Sequence, residues 1–460
     1  MPGQGWRTLP TADAVQPVPS PRLPASLRWA LTFEVVNACS WSAVLGAPLI
    51  LLLKSQGASA TVLGAALALM PLTQALQLVG ARWLPRFGYR GLMVRGWTAR
   101  TVMVGLMAVL AVAMPQLAPD VVIWLMLGLL AAFTVIRGLT SCAWMPWITS
   151  LVPEADRGRY LSWAAMLIQG TVIICNFGFA MVFDLLPGPA GFAVIYAWAC
   201  LTGFAAAWTM NRIQDVPVSS EGAIGEVPWG AMLAHAPFTR LLIFTVLVYV
   251  ALAALGVLWV PVLRDVHGQS DGFIAMLPVW ASVAQLCLLP VLGLLVERSG
   301  SKPMIVVALA TWVVHAALWA GLACGQLPLA WWTLILIQGT AGAGGAAFNL
   351  ANQRLLMATV PGQGRSHFFA LHSGALALGQ GVAPVLWGLA LDRSAGWHGW
   401  GLNAHAALYL ASGLLIAGSI LLSLRLSEPR AVSTAEFLSE LLMRSPRRAL
   451  ARLAALVEGR

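Results

Sequence analysis

The chain has 460 residues, 59% hydrophobic and only 10% charged, with a mean hydropathy of +0.80. So few charges would leave a soluble fold without a solvated surface; the composition therefore argues against a water-soluble enzyme or binding module and predicts an integral membrane protein. The net charge of +10 raises nucleic acid as a partner, but the placement of the basic residues assigns them to membrane topology instead.

In chain order, residues 1–24 are rich in Pro and polar residues and lack a signal peptide's basic start, short apolar core and cleavage site, so they read as a disordered cytoplasmic leader. A hydrocarbon core of about 30 Å needs roughly twenty apolar residues as helix. Such runs follow one another at 27–53, 59–83, 91–114, 120–150, 159–186, 190–211, 238–263, 272–296, 303–324, 329–358, 366–391 and 403–425. The expected fold class is an all-α integral membrane protein with twelve transmembrane helices. It is divided into an N-terminal six-helix bundle (25–211), a cytoplasmic linker (212–237) and a C-terminal bundle (238–425). The linker ends in "PWGAMLAHAPFTR", which predicts a short surface helix. The tail, 426–460, alternates apolar and basic residues and reads as an amphipathic helix on anionic lipid, broken near Pro446.

The stretch "ARWLPRFGYRGLMVR" places Arg82, Arg86, Arg90 and Arg95 between the second and third spans. With the N-terminus inside, Lys54, Arg264 and Arg393 fall outside and Arg137 falls within a span. The other basic residues, about 23 of the 27, then lie on the inner side. Both termini are thus expected in the cytoplasm of a multi-pass protein, most simply in a bacterial inner membrane, with anionic headgroups and not nucleic acid as the partner of the arginines. All six cysteines fall inside spans without metal-like or C-x-x-C spacing and read as packing residues; no metal or cofactor is expected.

A repeat organises these spans. Gly88 and Gly300 are 212 positions apart, while Pro153 and Pro361, Arg157 and Arg365, and Asp184 and Asp392 are each 208 apart. Six helices therefore recur in parallel. Here the chain resembles the major facilitator superfamily, whose loops after the second and eighth helices carry a Gly-x-x-x-Asp-x-x-Gly-x-Arg/Lys pattern. The later copy keeps Gly293, Glu297, Gly300 and Lys302; the earlier has Ala81 and Pro85 in place of the first Gly and the Asp, and keeps Gly88 and Arg90. The resemblance implies a cytoplasmic gate built from these residues and Arg157, in which the acid accepts from a helix end and the base pairs across the halves. Glu154 or Asp156 stand in where Pro85 has no acceptor. The other reading is that the basic residues only set topology.

The resemblance also implies a central cavity lined by the first, fourth, seventh and tenth helices. Glu34 and Arg137 are the ionisable residues deepest in two of these, about 10 Å and 13 Å from their helix ends. A charge in hydrocarbon costs at least a few kcal/mol, so both are expected to face the cavity or each other, as a fixed clasp or as a proton switch that frees Arg137 for an anion. Asn37, Ser40, Thr140, Ser141, Tyr249, Gln338, Asn349 and Asn352 are further cavity candidates, each able instead to satisfy a neighbouring backbone. Arg100 is expected to snorkel to the headgroups. His315, His372 and Gln380 are expected to pack off the cavity, Trp41, Trp259 and Trp280 to wall it, and Trp144 and Trp147 to anchor at the interface. The glycines from Gly339 to Gly345 are expected to allow close helix packing.

No nucleotide loop, metal cluster or paired acids within the spans suggest catalysis. The expected function is a secondary active transporter of a small polar or anionic organic solute, proton-coupled through Glu34, working by alternating access as a monomer. The alternative is a transporter-like sensor or assembly factor, consistent with the lost acid at Pro85 and the basic tail.

Overall fold

A computed structural model describes residues 25–152, 157–217, 229–360, 365–426 and 428 of the chain. The leader, most of the linker, the tail, and Pro153, Glu154, Asp156 and Pro361 lie outside the described residues, as do the side chains of Arg157, Glu297 and Arg365.

In the first half, the helices are α1 (Ala25–Leu45), α2 (Ala47–Ser55), α3 (Ala60–Gln74), α4 (Gln77–Gly80), α5 (Leu84–Ala113), α6 (Pro119–Thr140), α7 (Trp144–Leu151), α8 (Arg157–Leu185) and α9 (Pro189–Asn211). The second half has α10 (Trp229–Ala234), α11 (Ala236–Pro261), α12 (Asp271–Ser299), α13 (Ser301–Ala323), α14 (Trp331–Thr359), α15 (Arg365–Arg393) and α16 (Ala404–Ser423). The short α10 is the surface helix expected from the linker sequence. A two-residue hairpin, β1 (His398–Gly399) with β2 (Leu402–Asn403), precedes α16; it was not expected from the sequence, and its turn takes positive φ at Trp400 and Gly401.

Eleven helices are long and apolar enough to cross a membrane among the described residues. One of them, Ala60–Gln116, runs for 57 residues and would extend about 85 Å as a straight helix, far beyond the hydrocarbon core. It breaks at Gly88, where φ is 69° and ψ 171°. Gly300, at the corresponding place between α12 and α13, takes φ 89° and ψ 174°. Side chains rarely adopt this backbone region, so the glycines of the repeated loop are required where the chain reverses.

Successive helices run back and forth, so one end of the bundle carries the start of α1 and the end of α16. This is the terminal end; the opposite, distal end carries the turns at 56–59, 114–118, 267–270 and 394–403. Helices of a half pack through glycine. A Cβ on Gly80 would sit 1.6 Å from the Leu139 carbonyl oxygen, one on Gly138 2.1 Å from that of Thr73, and one on Gly342 2.3 Å from that of Ala281. The expectation of close packing in the Gly339–Gly345 run holds at Gly342, and at Gly344, which lies against the Trp312 ring.

The halves meet through α3 against α15 and α8 against α12. Gly64 and Gly388 bring the first pair together: a Cβ on either would fall 2.2 Å from a carbonyl oxygen, of Pro384 and of Ala60 respectively. Without a hydrophobic drive between helices in lipid, such small-residue contacts and interhelical hydrogen bonds hold the bundle.

Candidate functional site

At the distal end the halves are tied by charge. Asp392, at the end of α15, accepts from the backbone N–H of Ala60 at 2.9 Å and of Thr61 at 2.8 Å, and from the Thr61 hydroxyl at 2.5 Å. A carboxylate is stabilised here because the first N–H groups of α3 have no intrahelical acceptor and carry the positive end of the helix dipole. Asp184, its partner in the repeat, approaches α12 in the same way, with Oδ1 2.0 Å from where a Cβ on Gly272 would lie. Lys54 and Asp265 add a cross-half ion pair at 2.6 Å, and Arg264 reaches the Leu51 carbonyl at 3.4 Å while pairing with Asp271 at 2.7 Å.

Between the halves, nearer the terminal end, lies a cavity of about 520 Å³. Met70, Pro71 and Gln74 of α3 form one wall; the opposite side comes from α11, α14 and α15 and includes the polar Tyr249, Asn349, Asn352, His372 and Gln380. A second chamber of about 340 Å³ continues toward the distal end between Leu67, Tyr249, Trp312, Asn349, Gln380 and Pro384. Tyr249 donates to Asn349 Oδ1 at 3.0 Å, and Asn349 donates in turn to the Gly345 carbonyl at 2.9 Å. This pair stands where the chambers join. Asn352 is buried and accepts from Thr245 at 3.1 Å.

Of the four helices implied by the resemblance, α11 and α14 line the chambers of the cavity, whereas α1 and α6 contribute no lining residue and α3 and α15 take their place. His372 and Gln380, expected to pack elsewhere, are in its wall, and the His372 Nε2 is buried without a hydrogen-bond partner. His315 does pack as expected, against the Ile337 carbonyl, Thr340 and the Trp319 indole. Gln338 is buried but lines neither chamber, and of the tryptophans Trp312 is in the wall while Trp41, Trp259 and Trp280 are not.

Glu34 and Arg137 do not pair. The ion pairs among the described residues are Lys54–Asp265, Arg90–Asp215 and Arg264–Asp271. Glu34 faces the Trp144 indole and stands near Tyr160, whose hydroxyl is buried without a partner. Arg137 donates instead to Gln74 Oε1 at 3.1 Å, which places it against the cavity wall.

Asn37 is turned away from the role expected of it. Its Oδ1 accepts from Trp97 Nε1 at 3.0 Å and from Arg100 Nη2. Arg100 is 2% exposed, so it does not snorkel: its guanidinium is held 4.0 Å from the Trp97 ring centre and 5.1 Å from that of Phe133. Cation–π contact and one amide oxygen replace the headgroups. Thr140 bonds its own helix at the Ile136 carbonyl and packs on Gly96, and Ser40 donates to the Ala199 carbonyl; neither lines a chamber. Trp147 is 0% exposed, donates to the Gln214 carbonyl and meets Trp144 edge-on; it is a core residue and not an interfacial anchor.

Of the expected gate residues, Arg90 and Lys302 have side-chain partners within their own halves. Arg90 meets Asp215, which follows α9, at 3.6 Å. Lys302 donates its ammonium to the Leu424 carbonyl at 2.7 Å, while Glu428, which follows α16, accepts from the backbone N–H of Ser301 and Lys302 at 2.9–3.0 Å. Asp215 and Glu428 are 213 positions apart, so the repeat supplies an acid after the last helix of each half. That acid escaped the sequence reading because it lies far along the chain from the loop it binds. A Cβ on Gly293 would meet nothing within 4 Å, so close packing does not require glycine there.

Residues 241–456 match the sequence model of the Major Facilitator Superfamily. No curated protein matches the chain. Among solved structures, the fold is similar to the nucleoside transporter NupG (TM-score 0.62, 12% identity, covering 88% of this chain and 98% of that one). It is also similar to a bacterial homologue of the iron transporter ferroportin in an inward-facing state (0.68, 13%, 87% and 99%) and to a D-xylose-proton symporter (0.63, 16%, 89% and 97%). At these identities the likeness speaks for the fold.

Proposed function

From the match of residues 241–456 to the Major Facilitator Superfamily and the likeness of the whole fold to transporters, we propose that this chain is a secondary active transporter of that superfamily, moving a small polar or anionic organic solute by alternating access. The carrying observation is the cavity between the halves, walled by Gln74 from one and Tyr249, Asn349, His372 and Gln380 from the other, with the cross-half carboxylate and ion-pair contacts gathered at the distal end. A solute held there touches both halves, so its exchange of contacts can bias their rocking.

The topology follows the same reading. The break at Gly88 supports dividing Ala60–Gln116 into two spans, giving twelve in two parallel bundles, 25–211 and 238–425, joined by 212–237. The basic residues at the terminal end support placing both termini in the cytoplasm, of a bacterial inner membrane in the simplest case. The distal clasp is then external, and the described conformation opens toward the cytoplasm. The protein works as a monomer among anionic lipids, with Glu34, an acid without a basic partner among the described residues, carrying the coupled proton.

The test is solute flux into proteoliposomes containing the full chain, screened across organic acids, sugars, nucleosides, amino acids and peptides. Saturable, gradient-driven flux supports the reading. Binding of a solute with no flux favours the sensor alternative instead.

A further inference from the structure

Arg100 and Arg137 lie close together inside the first half, and among the described residues neither is paired with an acid. At Gly96, α5 touches α6 so closely that a Cβ would fall 2.3 Å from Thr140 Cγ2. Arg100 is four residues beyond that contact on α5, and Arg137 is three residues before it on α6. Because the two helices are antiparallel, both arginines step the same way, by about 6 Å and 4.5 Å. The Phe133 ring, one turn from Arg137, stacks under the Arg100 guanidinium, which puts both cations on one face, within electrostatic reach of each other.

Their polar partners are neutral: Asn37 for Arg100, Gln74 for Arg137. Neither forms an ion pair among the described residues, and Arg100 Nε is buried without any hydrogen-bond partner. Two uncompensated positive charges at the depth of the bilayer are costly, and the planar fork of each guanidinium matches an oxyanion. Gln74, the partner of Arg137 alone, joins that arginine to the cavity wall.

We propose that Arg100 and Arg137 together form a two-cation receptor for the oxyanion headgroup of the solute, and that the charge balance selects a dianionic group such as a phosphomonoester over a monocarboxylate. The proposal rests on the transporter reading for the identity of its ligand as cargo, but not for binding. Arg137, beside the cavity, meets the anion first; Arg100 behind it, held by Trp97, Phe133 and Asn37, supplies the second charge.

The experiment is thermal unfolding of the purified full chain in detergent at pH 8, titrated with glycerol, glycerate, glycerol phosphate and inorganic phosphate. The phosphate ester is dianionic there because its second pKa is about 6. Glycerol phosphate is expected to stabilise with an affinity at least about tenfold tighter than glycerate, and glycerol not at all. Arg100→Gln should reduce the ester to the affinity of glycerate, and Arg137→Gln should abolish both. Should Arg100→Gln fail to fold, Asn37→Asp serves: it keeps the acceptor for Trp97 and Arg100, balances the Arg100 charge and leaves a single free cation at Arg137, raises the unfolding temperature of the empty protein and weakens the ester about tenfold or more. Equal affinity for ester and monoacid, no stabilisation by either phosphate probe at millimolar concentration, or unaltered preference in Arg100→Gln or Asn37→Asp would overturn the receptor. Binding without flux in vesicles would leave the receptor standing and defeat the transporter reading; flux of a neutral solute without ester binding would do the reverse.

Discussion

Asp392 and Thr61 are 331 residues apart in sequence and joined by two hydrogen bonds, from the Thr61 backbone N–H and its hydroxyl to the one carboxylate oxygen Oδ2. The contact crosses from one half to the other and closes the distal end. Hydrogen bonds to a charged group contribute about 1.5–3 kcal/mol, enough to shift a two-state equilibrium by about 10- to 100-fold.

Asp392→Asn keeps the shape and loses the charge and one acceptor oxygen. The distal end should open more often. A cysteine placed at Ala253 in the deep chamber, in a background without native cysteines, should then react about tenfold faster with an impermeant maleimide applied from the distal side. An unaltered rate would mean that the carboxylate is only a helix cap.

Glycines at the two reversals should resist substitution. Gly88→Ala and Gly300→Ala each force a side chain to φ near 69° or 89°, at a cost of about 1–3 kcal/mol, and should lower the unfolding temperature by several degrees. Gly128→Ala, in the middle of α6 with open space around it, is the control and should be neutral or stabilising by up to about 1 kcal/mol.

Tyr249 and Asn349 hold the junction of the two chambers. Tyr249→Phe removes one donor from the cavity wall while leaving the ring packed on Phe348, so solute affinity should fall about 2- to 10-fold with little loss of stability. Parallel titrations and melting curves separate the two effects; a large loss of stability with normal affinity would make the pair structural.

Glu34→Gln tests the coupling. With a carboxylate that takes up a proton, acidification of the external side should drive accumulation, and the permanently neutral variant should exchange solute without accumulating it. Counterflow and pH-driven uptake measured on the same vesicles give the comparison; pH-driven uptake equal to wild type would remove Glu34 from the mechanism.

The spans, the repeat and the special glycines were legible in the sequence because each is imposed locally: hydrocarbon demands long apolar helices, and a reversal with positive φ demands glycine. Asp184 and Asp392 were legible as a recurring pair, but not as clasps, since their partners at Gly272 and Thr61 belong to the other half. Arg100 was misread because depth along a helix says nothing about rotation around it; the Asn37 oxygen and the Trp97 and Phe133 rings turn it inward. The cavity was assigned to four helices, of which α1 and α6 line neither chamber, and the walls contributed by Gln74, His372 and Gln380 were missed for lack of any periodic signal that separates a cavity face from a packed one.

Alternating access is the central claim, and paired distance measurements by electron–electron spin resonance test it most directly. Labels on Gln116 and Gln326, exposed at the distal end of either half, and on Trp83 and Met357, exposed toward the terminal end, would be compared without and with saturating solute. The account predicts opposite movements, with the distal distance lengthening as the terminal distance shortens in a common fraction of molecules. Distances that stay fixed at both ends, or lengthen and shorten together, would contradict it.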